Sequence, residues 1–324
     1  MPPTKHLRTT LAVVGAGAGL AVSAAVLPTA YAAHDDGWQS AGKGKTAGIS
    51  GIAVSGTEGS KDDVDAIVVR DNKKSGENRI ASVRYRDGKD PDVDPLDWKG
   101  GEPPGDLEAL AGVPGEKGGY LAVASSGTAY HLQVDGGAAQ AVDSFTLPAV
   151  ESGDEIENLA IGTPPSSAGA PAQEGKLVAV WGDRGEDDRP GTLHAAAVSV
   201  DPSGGSHFGE VRSAEVRAPY PTENVRHASD TGLTESGALL VSSASDPGDD
   251  GPFDSALYIA GRVSLDDKGE AVLSVEKDPE ALKKFGKHKI EALACLPGSD
   301  KAVLGTDDEN DGGSLTTAGG VCAD

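Results

Sequence analysis

The sequence predicts an all-β chain folded as a β-propeller of five blades, with six as the alternative count. Three observations carry that expectation. First, a five-residue unit (aliphatic, polar, small, aliphatic, Ala) recurs at Ile49-Ser50-Gly51-Ile52-Ala53, Leu107-Glu108-Ala109-Leu110-Ala111, Ile156-Glu157-Asn158-Leu159-Ala160 and Ile290-Glu291-Ala292-Leu293-Ala294. A degenerate copy, Val225-Arg226-His227-Ala228-Ser229, falls near the middle of the longest gap. Self-similarity at a period of roughly 60 residues marks a repeat architecture. Second, each unit is followed by further short apolar runs bounded by Gly, Asp and Ser, the pattern of buried strands separated by turns. Third, no segment sustains a helical period. Four short strands per repeat and no long helix make a propeller.

In chain order, residues 1–32 read as a signal peptide. Lys5 and Arg8 precede an apolar run, and Ala30-Tyr31-Ala32 fits a cleavage site. Residues 33–47 then form a flexible leader, and residues 48–324 a single propeller domain. The five-residue units suit tightly packed inner strands. Second strands are expected at 66–69, 120–124, 177–181, 238–241 and 302–304, third strands at 79–85, 129–134, 193–198 and 256–263. The third strands alternate apolar and polar residues more often, as strands nearer the solvent edge do. Outer strands are expected at 141–147, 209–216 and 271–275. The Pro-, Gly- and Asp- or Ser-rich stretches 87–105 and 162–175 read as long loops, and 279–285 as a short helical turn capped by Asp278. The last repeat is short. Either the N-terminal stretch supplies its outer strand, or the last blade has three strands.

The composition restricts the partners. The chain carries 28 Lys+Arg against 51 Asp+Glu, a formal net charge of −23. Without the two basic residues of the first 32, the remainder stands at −25. Such a surface repels nucleic acid and anionic membranes and favours cations or cationic partners. The expected partner is therefore a small molecule or an extracellular protein, met by a secreted monomer. Cys295 and Cys322 are the only cysteines. In an oxidising compartment they form one bridge, the alternative being two free thiols.

In a propeller, the turns after the second strands and the entrances to the first strands share one face. This sequence places acids there: Asp71, Asp183, Asp246, Asp249, Asp307, Asp308 and Glu309 after second strands, and Glu108, Glu157 and Glu291 at first-strand entrances. Crowded carboxylates raise one another's pKa unless a cation neutralises them, and hard oxygen ligands suit calcium. Asp-, Gly- and Asn-rich hairpins are also simply good turns. Arg226-His227 is the basic pair at a strand entrance, able to hold phosphate or act as general acid–base. Trp98 and Trp181 offer either a ligand surface or core packing.

The Glu-Ala-Leu-Ala units, together with Leu304-Gly305-Thr306-Asp307-Asp308-Glu309-Asn310, resemble the secreted propellers described as esterase-like phytase domains. In that family the unit usually reads Glu-Gly-(Leu/Ile)-Ala. Here Ala109, Asn158 or Ala292 replaces the Gly, Ser50 replaces the first Glu, and His227 departs in the fourth unit. The resemblance implies phosphate- or ester-cleaving activity, often with calcium, and carries over Glu108, Glu157, Glu291, Asp307 and Asp308 as metal ligands. Other catalytic patterns are absent from the sequence: no Gly-x-Ser-x-Gly elbow, no His-Glu-x-x-His and no Cys-x-x-Cys. Two functions follow. One is a secreted propeller that binds a ligand or protein through an acidic, calcium-loaded face. The other is a calcium-dependent phosphoester or ester hydrolase that uses Arg226 or His227.

Overall fold

A computed structural model describes residues 37–56, 63–173 and 175–322. The signal-peptide segment lies outside the described residues. The strands gather into five sheets, so the count is five and the six-bladed alternative falls.

Each five-residue unit opens or forms the innermost strand of a sheet. These strands are Gly51–Gly56, Leu107–Gly112, Ile156–Gly162, Val225–Leu233 and Ile290–Cys295, in blades 1 to 5. They pack side by side in ring order, the fifth closing against the first. Moving outward, blade 1 continues through Val64–Val69, Ile80–Arg86 and Lys89–Pro95. The hairpin-connected strands within each blade run antiparallel. Small inner residues let the strands approach one another. The larger aliphatic side chains of neighbouring sheets then interdigitate, and the described core divides into five clusters, one for each blade–blade interface. Trp181 is fully buried in one of them, with its indole N–H donating to the Pro148 carbonyl at 3.2 Å, so its expected alternatives resolve to core packing.

Three expectations need correction. The stretch 87–105 is not a plain loop: Lys89–Pro95 is the outer strand of blade 1, and Asp97–Lys99 adds a fifth, parallel strand to blade 2. Pro91 and Pro95 are tolerated because an edge strand has one unpaired side. The stretch 279–285 is not helical, because Ala281–Gly286 pairs with the long third strand Asp254–Leu265. That strand exceeds the usual length, so two short segments, Ala271–Val275 and Ala281–Gly286, are needed to cover it. Blade 3 divides its outer edge the same way, between Ser206–Phe208 and Arg212–Val216.

The third correction concerns the leader. Gln39–Gly42 pairs antiparallel with Gly313–Ala318 and becomes the outer strand of blade 5. The last blade therefore has four strands, one of them from the other end of the chain. Gln-Ser-Ala-Gly is a poor strand former by itself. The open edge of Gly313–Ala318 supplies the pairing that its composition does not. Arg70 and Asn72 then hold the returning chain, donating to the Thr46 carbonyl at 2.6 and 3.1 Å. The Cys295–Cys322 disulfide is formed, with the Cα atoms 5.8 Å apart. It ties the inner strand of blade 5 to the segment that follows its third strand.

Candidate functional site: the acidic mouth of the channel

The second residue of the repeated unit is Ser50, Glu108, Glu157, Arg226 and Glu291 in blades 1 to 5, and the four charged ones lie close enough to act on one another. In blades 2, 3 and 5 the strand register shifts across that residue, between Leu107 and Ala109, Ile156 and Asn158, and Ile290 and Ala292. In blade 4 the shift spans Arg226 to Asp230. A bulge takes one residue out of the pleat and re-aims its side chain. Without it, each glutamate would be driven into an apolar blade interface.

The ring is not a circle of like charges. Arg226 Nη1 lies 3.1 Å from Glu157 Oε1 and 2.7 Å from Glu291 Oε1, and its Nη2 pairs with Asp246. Arg184 Nη1 reaches Glu157 Oε1 at 2.6 Å, and Arg184 also pairs with Glu155. Lys289 Nζ lies 3.3 Å from Glu291 and 2.5 Å from Glu309. Burial opposes the charge on Arg226, but Glu157, Glu291 and Asp246 outweigh it and hold the guanidinium charged above its usual range. On this side of the mouth each inner carboxylate has a cation.

The side formed by blades 1 and 2 differs. One carboxylate oxygen from each of Asp71, Asp106 and Glu108 lies within 4.8 Å of the other two. Lys73 pairs with Asp106 at 2.8 Å, and the Ser125 hydroxyl donates to the other Asp106 oxygen at 2.5 Å. Burial pushes the Asp106 carboxyl up, but the bonds from Lys73 and Ser125 win and hold it below its ordinary value. Glu108 goes the other way. Burial, then the charges of Glu157 and Glu291, then a hydrogen bond shared with Asp106, hold its carboxyl well above the usual range. Asp71 is also raised, by burial first and Glu291 second, with Lys73 opposing. Among the described residues no lysine or arginine forms an ion pair with Glu108.

The five sequence-selected metal residues therefore separate. Glu108, Glu157 and Glu291 share the mouth, but the last two are engaged by Arg184, Arg226 and Lys289. Asp307 is buried beside Gly48, where an added Cβ would stand 2.4 Å from its carboxyl carbon. Burial and Glu291, against Lys289, push its pKa up to about 8. Asp308 acts as a clamp, accepting from the Lys289 backbone N–H and the Thr306 hydroxyl at 2.7 and 2.9 Å and pairing with His288 at 2.7 Å. The acids that do converge are Asp71, Asp106 and Glu108. Asp106 escaped sequence reading, although Asp106-Leu107-Glu108 sets two acids two residues apart at a strand entrance.

Of the basic pair, Arg226 faces the ring and His227 does not. His227 is buried; its Nδ1 accepts from the Ala218 backbone N–H at 3.1 Å, and Nε2–H donates to the Asp187 carbonyl at 2.8 Å. Both ring nitrogens are thus occupied by backbone, and burial, only partly offset by the Asp187 bond, lowers its pKa. Deeper in the wall, the fully buried Asp230 accepts backbone N–H groups from Thr231 at 2.7 Å and from Leu293 of blade 5 at 2.6 Å. It joins two inner strands. A cavity of about 740 Å³ opens instead at the far ends of the inner strands, beside Ile161, Leu233, Leu296 and the disulfide. The acidic corner is not part of it.

No protein-family model matches this chain, and no curated protein matches it either. Among solved structures, a GH43 β-1,3-galactosidase with galactodeoxynojirimycin aligns over 84% of this chain and 90% of its own, at 10% sequence identity and a TM-score of 0.46. The five-bladed assignment rests on the sheets described above. At that level of similarity, the galactosidase has no bearing on the chemistry of the mouth.

Proposed function

We propose that this chain is a secreted binding propeller whose acidic mouth holds a calcium ion at Asp71, Asp106 and Glu108 and engages a small molecule or an extracellular protein there. The disulfide fits an oxidising compartment. One observation carries the reading: of three equivalent inner-strand glutamates, Glu108 faces carboxylates while Glu157 and Glu291 face arginine and lysine. Three hard oxygens so close suit a cation that takes carboxylate and carbonyl ligands. The donor set fits calcium, provided Lys73 swings off Asp106. Lys73 has the freedom for this, since its side chain is 64% exposed.

Hydrolysis of a phosphoester has less support. Such a reaction needs a cation to hold the anionic group, and the Arg226 guanidinium is already taken by three carboxylates. His227 is committed to backbone on both nitrogens.

The test is a thermal melt of chelator-stripped protein titrated with calcium, alongside Glu108→Gln. A calcium-dependent rise in Tm in the wild type, absent from Glu108→Gln, supports the site. An equal rise in both places calcium elsewhere; no rise in either removes the metal from the proposal. Calcium-dependent cleavage of p-nitrophenyl phosphate by the wild type would restore the hydrolase.

A further inference from the structure

Among the described residues, Lys73 supplies the only lysine or arginine ion pair of the corner formed by Asp71, Asp106 and Glu108. The turn that carries it is pinned without the help of its side chain. The Asn72 amide donates to the Asn78 carbonyl at 2.7 Å and to the Thr46 carbonyl at 3.1 Å. The buried Arg79 guanidinium donates to the carbonyls of Pro104, Glu77 and Lys74 at 2.7, 2.8 and 2.8 Å. The Glu77 carboxylate accepts from the Lys74 backbone N–H at 2.8 Å. Across the blade boundary, the Asp106 backbone N–H donates to the Asn72 carbonyl at 3.4 Å. A Cβ on Gly105 would stand 3.6 Å from the Lys73 Cα, so the two segments touch. The turn of blade 1 and the strand entrance of blade 2 are thus locked together by backbone bonds.

The Lys73 side chain is an arm on that fixed base. It is 64% exposed, and its ammonium meets one oxygen of Asp106 at 2.8 Å while Ser125 holds the other. A flexible tether therefore delivers a positive charge to the place where three carboxylate oxygens converge. An ammonium on such a stem is a point charge that another cation can replace. A divalent ion brings twice the charge and takes roughly six to eight oxygens, so it gains more from the three carboxylates. It must first displace the lysine, because an ammonium left a few ångströms away would repel it. Lys74 offers the contrast: it is exposed in the same turn and, among the described residues, pairs with no carboxylate.

We infer that Lys73 is a tethered competitor, which fills the acidic corner when calcium is absent and sets the calcium concentration at which the corner loads. The inference rests on the calcium reading proposed above. The experiment is calorimetric titration of the chelator-stripped full chain with calcium chloride, at fixed pH and ionic strength, on wild type, Lys73→Gln and Lys74→Gln. Lys73→Gln should bind calcium on the order of tenfold more tightly, because the ion no longer displaces an ammonium. Lys74→Gln removes an equal charge from the same turn and should stay within about twofold of wild type, since an exposed, unpaired charge is screened. Adding Glu108→Gln to Lys73→Gln should abolish the gain, which ties it to this corner. Lys73 is exposed, so its replacement should lower Tm in chelator by no more than a few degrees. Binding by Lys73→Gln alone would support the inference in its strongest form. Equal affinity in wild type and Lys73→Gln would overturn it and leave the calcium site standing. Equal tightening by both single variants, or a gain that survives Glu108→Gln, would also overturn it. No binding by any of the proteins would remove the calcium site and the competitor together.

Discussion

Arg226 occupies in blade 4 the position that Glu157 occupies in blade 3, and its Nη1 lies 3.1 Å from the Glu157 carboxylate. One repeat position thus supplies both members of an ion pair, because neighbouring blades bring their equivalent residues together at the channel mouth. The same guanidinium also holds Glu291 and Asp246. The mouth is divided as a result into a neutralised side and an acidic corner.

Removing Arg226 should therefore be costly. With a side chain only 14% exposed, its loss leaves Asp246 without its ion-pair partner and Glu157 and Glu291 with one cation fewer, and unpairing a buried ion pair costs about 3–5 kcal/mol. At roughly 2–4 °C per kcal/mol for a chain approaching this size, Arg226→Ala should lower Tm on the order of 10 °C. Adding Asp246→Asn should recover part of that loss, since the acid left without an ion-pair partner is gone. Strict additivity of the two substitutions in thermal melts would contradict the coupling.

Glu108 should make the metal-free protein weaken as pH rises. Its carboxyl keeps its proton to a higher pH when folded than when unfolded, where it titrates near 4.5. Above that value the folded state holds more protons than the unfolded state, so stability falls with increasing pH until the folded carboxyl has ionised. Glu108→Gln removes this slope. Melts in chelator should show wild type and variant alike at pH 4 and the variant several degrees more stable at pH 8. Parallel curves across the range would mean that Glu108 ionises freely.

The disulfide should contribute through the ends it joins. Its cysteines are 27 residues apart in sequence, a loop worth about 3 kcal/mol in the chain-entropy model. The Cys295→Ser, Cys322→Ser double variant should lose that amount in a urea titration, with a somewhat higher m value because the unlinked unfolded chain exposes more surface. A fall in m would show that the native ring itself had loosened.

Ring closure should depend on the first described strand. A chain starting at Lys45 lacks Gln39–Gly42 and leaves the edge of Gly313–Ala318 unpaired, which invites association between copies. Compared with a chain starting at Gly37, it should melt lower and over a wider range, and sediment partly as oligomers. Identical melts and sedimentation would show that the strand closes nothing.

Much of the molecule is legible in the chain alone. The five inner strands, Val225–Leu233 included, can be found because each begins with the same pattern of aliphatic and small residues. The second and third strands follow from short apolar runs between turn residues. Local composition determines these elements, since a buried strand must be apolar and its flanks must turn. The glutamates of the mouth were visible for the same reason, as acids interrupting a pattern that is otherwise apolar.

Pairing across the sequence decided the rest. Gln39–Gly42 and Ala281–Gly286 are strands because an open sheet edge lies beside them, and nothing in their own residues requires it. The partners of each carboxylate were equally hidden. Whether Glu108, Glu157 or Glu291 meets an arginine depends on which residue the neighbouring blade brings to the same bulge, and on Arg184 and Lys289 arriving from other strands. Sequence placed the acids on one face; the ring arrangement left Asp71, Asp106 and Glu108 together, because a charge's energy depends on its distance to other charges through space and not along the chain.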